Sequence, residues 1–363
     1  MKKSILFLFA ALIMGCRTQS SVQLDNLSFS KPEENPVLSA DSTFTFLCPV
    51  KNDTVRWQKA DVFNPAAIVK DNKVYLLFRA EDNPAAILGG RTSRIGLAYS
   101  EDGLHFAKYS VPVLYPDNGE FKTYDYPGGC EDPRVVQTED SLYVLAYTSW
   151  NYKVARLSIA FSRDLIHWEK KGPAFAKAYN GKFLDHWSKS GSIVTKMIEN
   201  RPVVAKINGK FWMYWGEEFV NLAWSDNLYD WNPLLDEEGN LKAVIRPRYG
   251  KFDSRLTECG PPAIVAKEGI VLFYNGKNAE DENCDPRLPK GTYSVGKVVF
   301  NPRNMEQVLY RSDECLIKPT LPHELTGQYK SGTVFAEGMV FFRSKWFLYY
   351  GTADSFVGVA ISE

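Results

Sequence analysis

Val74-Tyr75-Leu76-Leu77-Phe78 is the first of five short apolar and aromatic runs whose recurrence decides the fold. The other four are Leu142-Tyr143-Val144-Leu145-Ala146-Tyr147, Phe211-Trp212-Met213-Tyr214-Trp215, Ile270-Val271-Leu272-Phe273-Tyr274 and Trp346-Phe347-Leu348-Tyr349-Tyr350. A shorter apolar stretch and a turn precede each run, as in Ala66-Ala67-Ile68-Val69 before Asp71-Asn72 and Ala263-Ile264-Val265 before Glu268-Gly269. A third stretch follows each: Ile95 to Ala98, Leu157 to Ala160, Val220 to Ala223, Ser294 to Lys297 and Val357 to Ala360. Runs of this length, rich in β-branched and aromatic residues and bounded by turn residues, read as strands. The Asn, Asp and Gly between them supply the positive φ that tight hairpins require. Strands that are apolar throughout need cover on both faces, which four-stranded sheets packed around an axis provide. The repeat therefore predicts an all-β chain, a five-bladed β-propeller over residues 46–363. No segment carries the apolar period of a helix of normal length, which disfavours a doubly wound α/β fold.

The composition agrees and removes several function classes. The chain has 363 residues, 45% of them hydrophobic, enough for a sizeable core and too apolar for a disordered protein. Its 43 Lys and Arg balance 43 Asp and Glu, so the basic excess that phosphate backbones demand is missing and no nucleic-acid partner is expected. Four His and six scattered Cys without a CxxC pair argue against structural zinc, and nothing in the chain calls for a metal or cofactor. At the N-terminus, Lys2 and Lys3 precede an apolar run from Ile5 to Met14, too short to span a bilayer but suited to a secretory signal. It ends in Leu12-Ile13-Met14-Gly15-Cys16, which resembles the bacterial lipobox. Residues 1–15 are expected to be removed, Cys16 to carry lipid, and residues 16–45 to form a tether and N-terminal extension. That anchor makes the membrane a partner and puts the protein in the bacterial cell envelope, periplasmic or at the cell surface. Five Cys remain after Cys16, an odd number that leaves at least one unpaired.

Three of the repeats run into a shared ending: Ser100-x-Asp102-x-x-His105, Ser162-x-Asp164-x-x-His167 and Ser225-x-Asn227-x-x-Asp230. Because Asp230 replaces the His in the third copy, His105 and His167 read as turn residues rather than as catalysts or metal ligands. The chemistry is expected where inner strands converge on the axis. These begin at Phe63-Asn64-Pro65, Glu131-Asp132-Pro133-Arg134 and Glu258-Cys259-Gly260-Pro261-Pro262, and the strands after them stop at Arg79, Glu217-Glu218, Asn275 and Asp354. A Pro-flanked Asp such as Asp132 can simply cap a turn, and Arg134 can simply pair with it. Asp132, Glu217 and Glu258 on three different repeats, all aimed at one axis, point instead to chemistry. Two carboxyl groups in a polar, aromatic-lined funnel are what glycoside hydrolysis needs, one to protonate the leaving oxygen and one to activate water. No Ser or Cys nucleophile with a His partner is evident.

At these residues a family resemblance emerges. Phe63-Asn64-Pro65, Arg91-x-x-Arg94-Ile95-Gly96-Leu97-Ala98, Gly128-Gly129-Cys130-Glu131-Asp132-Pro133-Arg134, Lys206-Ile207-Asn208-Gly209-Lys210-Phe211, Gly260-Pro261-Pro262-Ala263-Ile264 and Tyr350-Gly351-Thr352-Ala353-Asp354 together resemble glycoside hydrolase family 130. The family consists of five-bladed propellers acting on β-mannosides, most of them phosphorylases and some hydrolases. The resemblance implies Asp132 as general acid, with Asn64, Arg79, Arg94 and Asp354 holding mannose in the −1 subsite; Arg134 and Asn275 are further candidates for substrate binding.

The sequence departs from the phosphorylase pattern in two places. Where phosphorylases carry an Arg at the end of a strand it reads Trp215-Gly216-Glu217-Glu218, and where they carry Tyr-His-Gly it reads Tyr274-Asn275-Gly276. A carboxylate in a phosphate site costs roughly 1 to 4 kcal/mol of repulsion at about 4 Å in a wet site, and the same carboxylate can activate water. Glu217 and Glu258 are joint candidates for the general base, with Glu218 as a substitute. The expected activity is that of an inverting, exo-acting β-mannosidase on β-1,2-linked mannan-derived oligosaccharides. The alternatives are a mannoside phosphorylase that recruits Lys189, Arg201 or Arg255 as phosphate ligands, and a mannoside-binding propeller without catalysis.

Overall fold

The computed structural model describes residues 22–86 and 90–362, and its regular secondary structure is nearly all β-strand. The signal segment and Cys16 lie outside the described residues. Each of the five aromatic runs is the second strand of an antiparallel meander. The first meander joins Asp61–Lys70, Lys73–Glu81, Ser93–Ser100 and Ala107–Lys108. The second joins Gly129–Gln137, Tyr143–Trp150, Ala155–Ser162 and Trp168–Pro173. The third is built on Lys210–Trp215 and Val220–Ser225, the fourth on Ile270–Lys277, Tyr293–Asn301 and Asn304–Arg311, and the fifth on Phe335–Phe342, Lys345–Thr352 and Phe356–Ser362.

The third copy departs from the expected pattern. Val203 and Val204 do not pair with the aromatic run; they fold back on Thr195–Ile198 as a separate hairpin, and Ser192–Ile193 and Lys206–Ile207 flank Lys210–Trp215 instead. The shared endings are turns as expected: Asp102 accepts hydrogen bonds from the Leu104 and His105 amides and faces His105 Nδ1 at 2.8 Å, and Asp164 and His167 repeat the arrangement.

Strand alternation explains where the core lies. Successive side chains point to opposite faces, so Leu76 and Phe78 pack with Val340, Phe347 and Tyr349 of the fifth meander while Leu77 packs with Val135 and Leu145 of the second. Further apolar cores fill the spaces between the second and third, third and fourth, and fourth and fifth meanders. The first and fifth meanders also touch through their backbones, since a Cβ on Gly338 would run into Pro65 and Ala67.

The expectation of a tether over residues 16–45 needs correction from Val22 onward. Ser30 and Leu38 bridge Ile361 and Val357, Leu24 is fully buried, and Lys31 pairs at 2.7 Å with the buried Glu324. The physical reason is an edge: the fifth meander supplies only three strands, and the N-terminal segment covers the exposed side of the last one. Cys48, Cys130, Cys259, Cys284 and Cys315 are all free thiols.

Candidate active site

The site begins with bulges. The register of the Asp61–Lys70 strand shifts between Phe63 and Pro65, that of Gly129–Gln137 between Glu131 and Arg134, and that of Phe335–Phe342 between Ala336 and Gly338. Asn64 and Asp132, in the first two bulges, have φ of 47° and 48°, a left-handed conformation that Asn and Asp tolerate better than other side chains. A bulge re-aims the residue within it. Here both side chains meet, Asn64 Nδ2 donating to Asp132 Oδ1 at 2.8 Å.

Arg79 holds the pair from the adjacent strand. Its guanidinium lies 3.1 Å from Asp132 Oδ1, 2.9 Å from Glu131 and 2.7 Å from Glu81. From the opposite side, Lys189 Nζ stands 3.4 Å from Asp132 Oδ2. Ser190 donates its hydroxyl to Glu258, and Trp187 Nε1 donates to Glu217 Oε2 at 2.8 Å. The turn presenting Glu217 requires Gly216, which has φ of 126° and where a Cβ would sit 2.2 Å from the Phe219 carbonyl oxygen. The same turn is tied to its neighbours, because the Gly216 amide donates to the Lys189 carbonyl and the Thr257 amide to the Glu218 carbonyl.

One cavity of about 270 Å³ is walled by Asn64, Arg79, Asp132, Glu217, Glu258 and Asp354 together. Six of the predicted residues are thus brought together; three are not. Arg94 is fully buried outside the cavity, its guanidinium on Asp82 and the Thr92 carbonyl. Arg134 lies behind Asp132, bonding the carbonyls of Asp132, Cys259 and Gly260. Asn275 braces the fourth meander against the fifth, exchanging hydrogen bonds with the Ala336 backbone. Of the alternative phosphate ligands, Lys189 lines the cavity, Arg255 pairs with Glu218 in a neighbouring cleft, and Arg201 faces Glu199 at a hairpin.

Sequence reasoning missed Glu131, Trp150, Trp187, Tyr293 and Tyr329 in the cavity wall, and Glu337 behind it. Glu337 had a signal: it is a lone charge in the apolar stretch Val334-Phe335-Ala336-Glu337-Gly338-Met339, in a bulge like those of Asn64 and Asp132. It is fully buried, 3.0 Å from Arg134.

Burial and mutual charge divide the carboxyl groups. Burial pushes Glu258 and Glu131 up to about 7, against the pull of Lys189 on the first and Arg79 on the second. Asp354 is pushed up to about 6, also by burial. Burial acts on Asp132 in the same direction but is outweighed by Arg79, Lys189, Arg134 and the Asn64 hydrogen bond, which hold it well below the usual carboxylate range. Lys189 stays charged despite burial because Glu217, Asp132, Glu258 and Glu131 surround it. The cavity thus keeps a firmly ionised carboxylate and, across Lys189, one that titrates near neutrality.

Residues 28–363 match the family described as Glyco_hydro_130, beta-1,4-mannooligosaccharide phosphorylase. The chain belongs to glycoside hydrolase family 130. Within family 130 it is 31% identical over 312 residues to a 1,2-beta-oligomannan phosphorylase of Thermoanaerobacter sp. (strain X514), covering 85% of this chain and 91% of the relative. Among solved structures, one whose description states that the family 130 mannoside phosphorylases contain glycoside hydrolases targeting β-1,2 mannosidic linkages in Candida mannan is 48% identical, with a TM-score of 0.91 over 94% of this chain and 96% of that one. A glycosyl hydrolase from Bacteroides ovatus is likewise 48% identical, with a TM-score of 0.90 over 92% and 93%. The family 130 members are glycoside-active enzymes, phosphorylases or hydrolases.

Proposed function

We propose that this family 130 protein is an inverting, exo-acting β-mannosidase that hydrolyses β-1,2-linked mannosides. The observation that carries the reading is the charge balance of the cavity. Arg79 is matched by Glu81, Glu131 and Asp132, and Lys189 by Asp132, with Glu217 and Glu258 close enough to raise its pKa. A phosphate dianion would find each of these cations already neutralised and would face the carboxylates as well, whereas water needs only a base. Glu258, titrating at about 7, suits that base at neutral pH, and Glu217 on the same side of Lys189 shares the candidacy.

In this reading Asp132 protonates the leaving oxygen, directly or through a sugar hydroxyl. Arg79 and Lys189 hold it ionised in the empty site, so it gains its proton once substrate is bound; Glu131, raised to about 7 and so partly protonated at neutral pH, is the donor at hand. Asn64 and Arg79 position the terminal mannose. Attack on a chain end is part of the same reading, with Arg134 and Glu337 buried behind Asp132. We also read the five meanders as the blades of a closed β-propeller, a reading supported by the apolar core shared between the fifth meander and the first. The lipobox-like Leu12 to Cys16 supports a lipid-anchored envelope protein with its catalytic unit over residues 46–363.

Phosphorolysis is the second reading, favoured by the names of the Thermoanaerobacter relatives. One experiment separates them: β-1,2-mannobiose with and without inorganic phosphate, followed by NMR of the sugars. Hydrolysis with inversion gives α-mannose at a phosphate-independent rate; mannose 1-phosphate formed only with phosphate overturns the proposal.

A further inference from the structure

A second, larger cavity of about 770 Å³ opens beside the first, and the two share Trp187, Glu217 and Tyr293 in their walls. Because Trp187, Glu217 and Tyr293 belong to both walls, a chain whose end lies in the smaller cavity has a direct route past Trp187 and Tyr293 into the larger cleft. We infer that this outer cleft binds the leaving portion of the substrate, two or more further neutral sugar residues, so that the enzyme acts on oligosaccharides in preference to disaccharides. The inference rests on the reading that the inner cavity receives the terminal mannose. With that residue inside about 270 Å³, the cleft offers nearly three times as much room.

The lining suits a neutral carbohydrate. Trp187 is 49% exposed although its indole N–H is committed to Glu217, which leaves ring surface for the C–H face of a sugar. Farther out, Phe219 is 38% exposed with the Arg246 guanidinium over its ring at 4.7 Å. An apolar ring beside forked donors is the combination a polyhydroxylated chain uses. The other charges are matched locally, Arg255 with Glu218 at 2.9 Å and Lys277 with Glu280 at 3.2 Å, so the cleft lacks the cation cluster that an anionic ligand would need. Burial lowers His186, which therefore stands neutral at neutral pH.

The test compares kcat/KM of the purified full-length protein on β-1,2-mannobiose, mannotriose and mannotetraose. The triose is expected to exceed the biose by about tenfold or more. Phe219→Ala is expected to bring that ratio close to one, and Phe219→Tyr to preserve it. Equal kcat/KM for all three sugars overturns the inference while leaving the mannosidase reading in place. If none is turned over, the mannosidase reading fails, and calorimetric binding of the same sugars decides the cleft separately: tighter triose than biose supports it, equal affinity overturns it.

Discussion

Replacing Glu258 by Gln is expected to abolish activity and at the same time make the protein more stable, by an amount that depends on pH. Glu258 is buried, its carboxyl is pushed from 4.5 to about 7 by burial, and only Lys189, Arg134 and the Ser190 hydroxyl oppose that push. A raised carboxyl pKa means that the folded state binds the proton more tightly than the unfolded chain, so the wild type loses stability as pH rises from about 4.5 to about 7 and stays at the lower level above it. The displacement is worth about 3 kcal/mol at about 1.4 kcal/mol per pH unit. Gln retains the oxygen that accepts from Ser190 and carries no charge, so it recovers most of that amount at pH 8 and only about 1 kcal/mol at pH 5. Over the roughly 340 described residues the gain at pH 8 corresponds to about 4 °C in Tm. The assay is thermal unfolding of wild type and Glu258→Gln at both pH values. A gain below about 1 °C at pH 8, or one of equal size at pH 5, would refute the argument that a buried charge is maintained there at the expense of stability.

The other predictions concern the acid, the pH profile and the N-terminal segment. Asp132→Asn is expected to lower kcat by about 10² to 10⁴ with Tm changed by only a few degrees; activity within a factor of ten of wild type would exclude Asp132 as the acid. Because the base must be ionised and Glu258 titrates at about 7, kcat/KM is expected to fall tenfold per pH unit below about 7. A plateau extending down to pH 5 would point to a base of ordinary acidity. Lys31→Met removes the partner of the buried Glu324, which keeps its hydrogen bonds from Tyr350, Thr320 and Leu321. A loss of about 3 kcal/mol, or about 4 °C, with unchanged kcat is expected, and an unchanged Tm would mean that the segment does not staple the fifth meander.

The legible part of the molecule was the part that repeats. Five aromatic runs announced five meanders because strand formation and two-sided burial are local demands, visible in residues 74–78 as plainly as in residues 346–350. Asp132, Glu217 and Glu258 were legible because each interrupts such a pattern with a charge. Arg94, Arg134 and Asn275 interrupt it too, and all three turned out to be braces: a sequence shows that a polar residue is buried, and whether it faces a cavity or a neighbouring carbonyl is decided by packing between meanders. Trp187 and Lys189 were harder still, since they come from the segment leading into the third meander, where the repeat is broken by an extra hairpin.

That division bears on how the site holds its geometry. Arg134 does not itself line the cavity, yet it bonds the carbonyl of Asp132 on one side and those of Cys259 and Gly260, immediately after Glu258, on the other. The backbones carrying the proposed acid and one candidate base are therefore fixed to a single guanidinium, a rigid planar group that cannot lengthen to accommodate a shift between meanders. Glu337 of the fifth meander stands 3.0 Å from the same guanidinium, in a bulge of the kind that presents Asn64 and Asp132, and burial raises its carboxyl well above the usual range. A displacement of any one meander would break a bond to a buried charge, which costs more than an exposed ion pair. The separation between the proposed acid and this candidate base is thereby set by a buried brace rather than by the two side chains themselves.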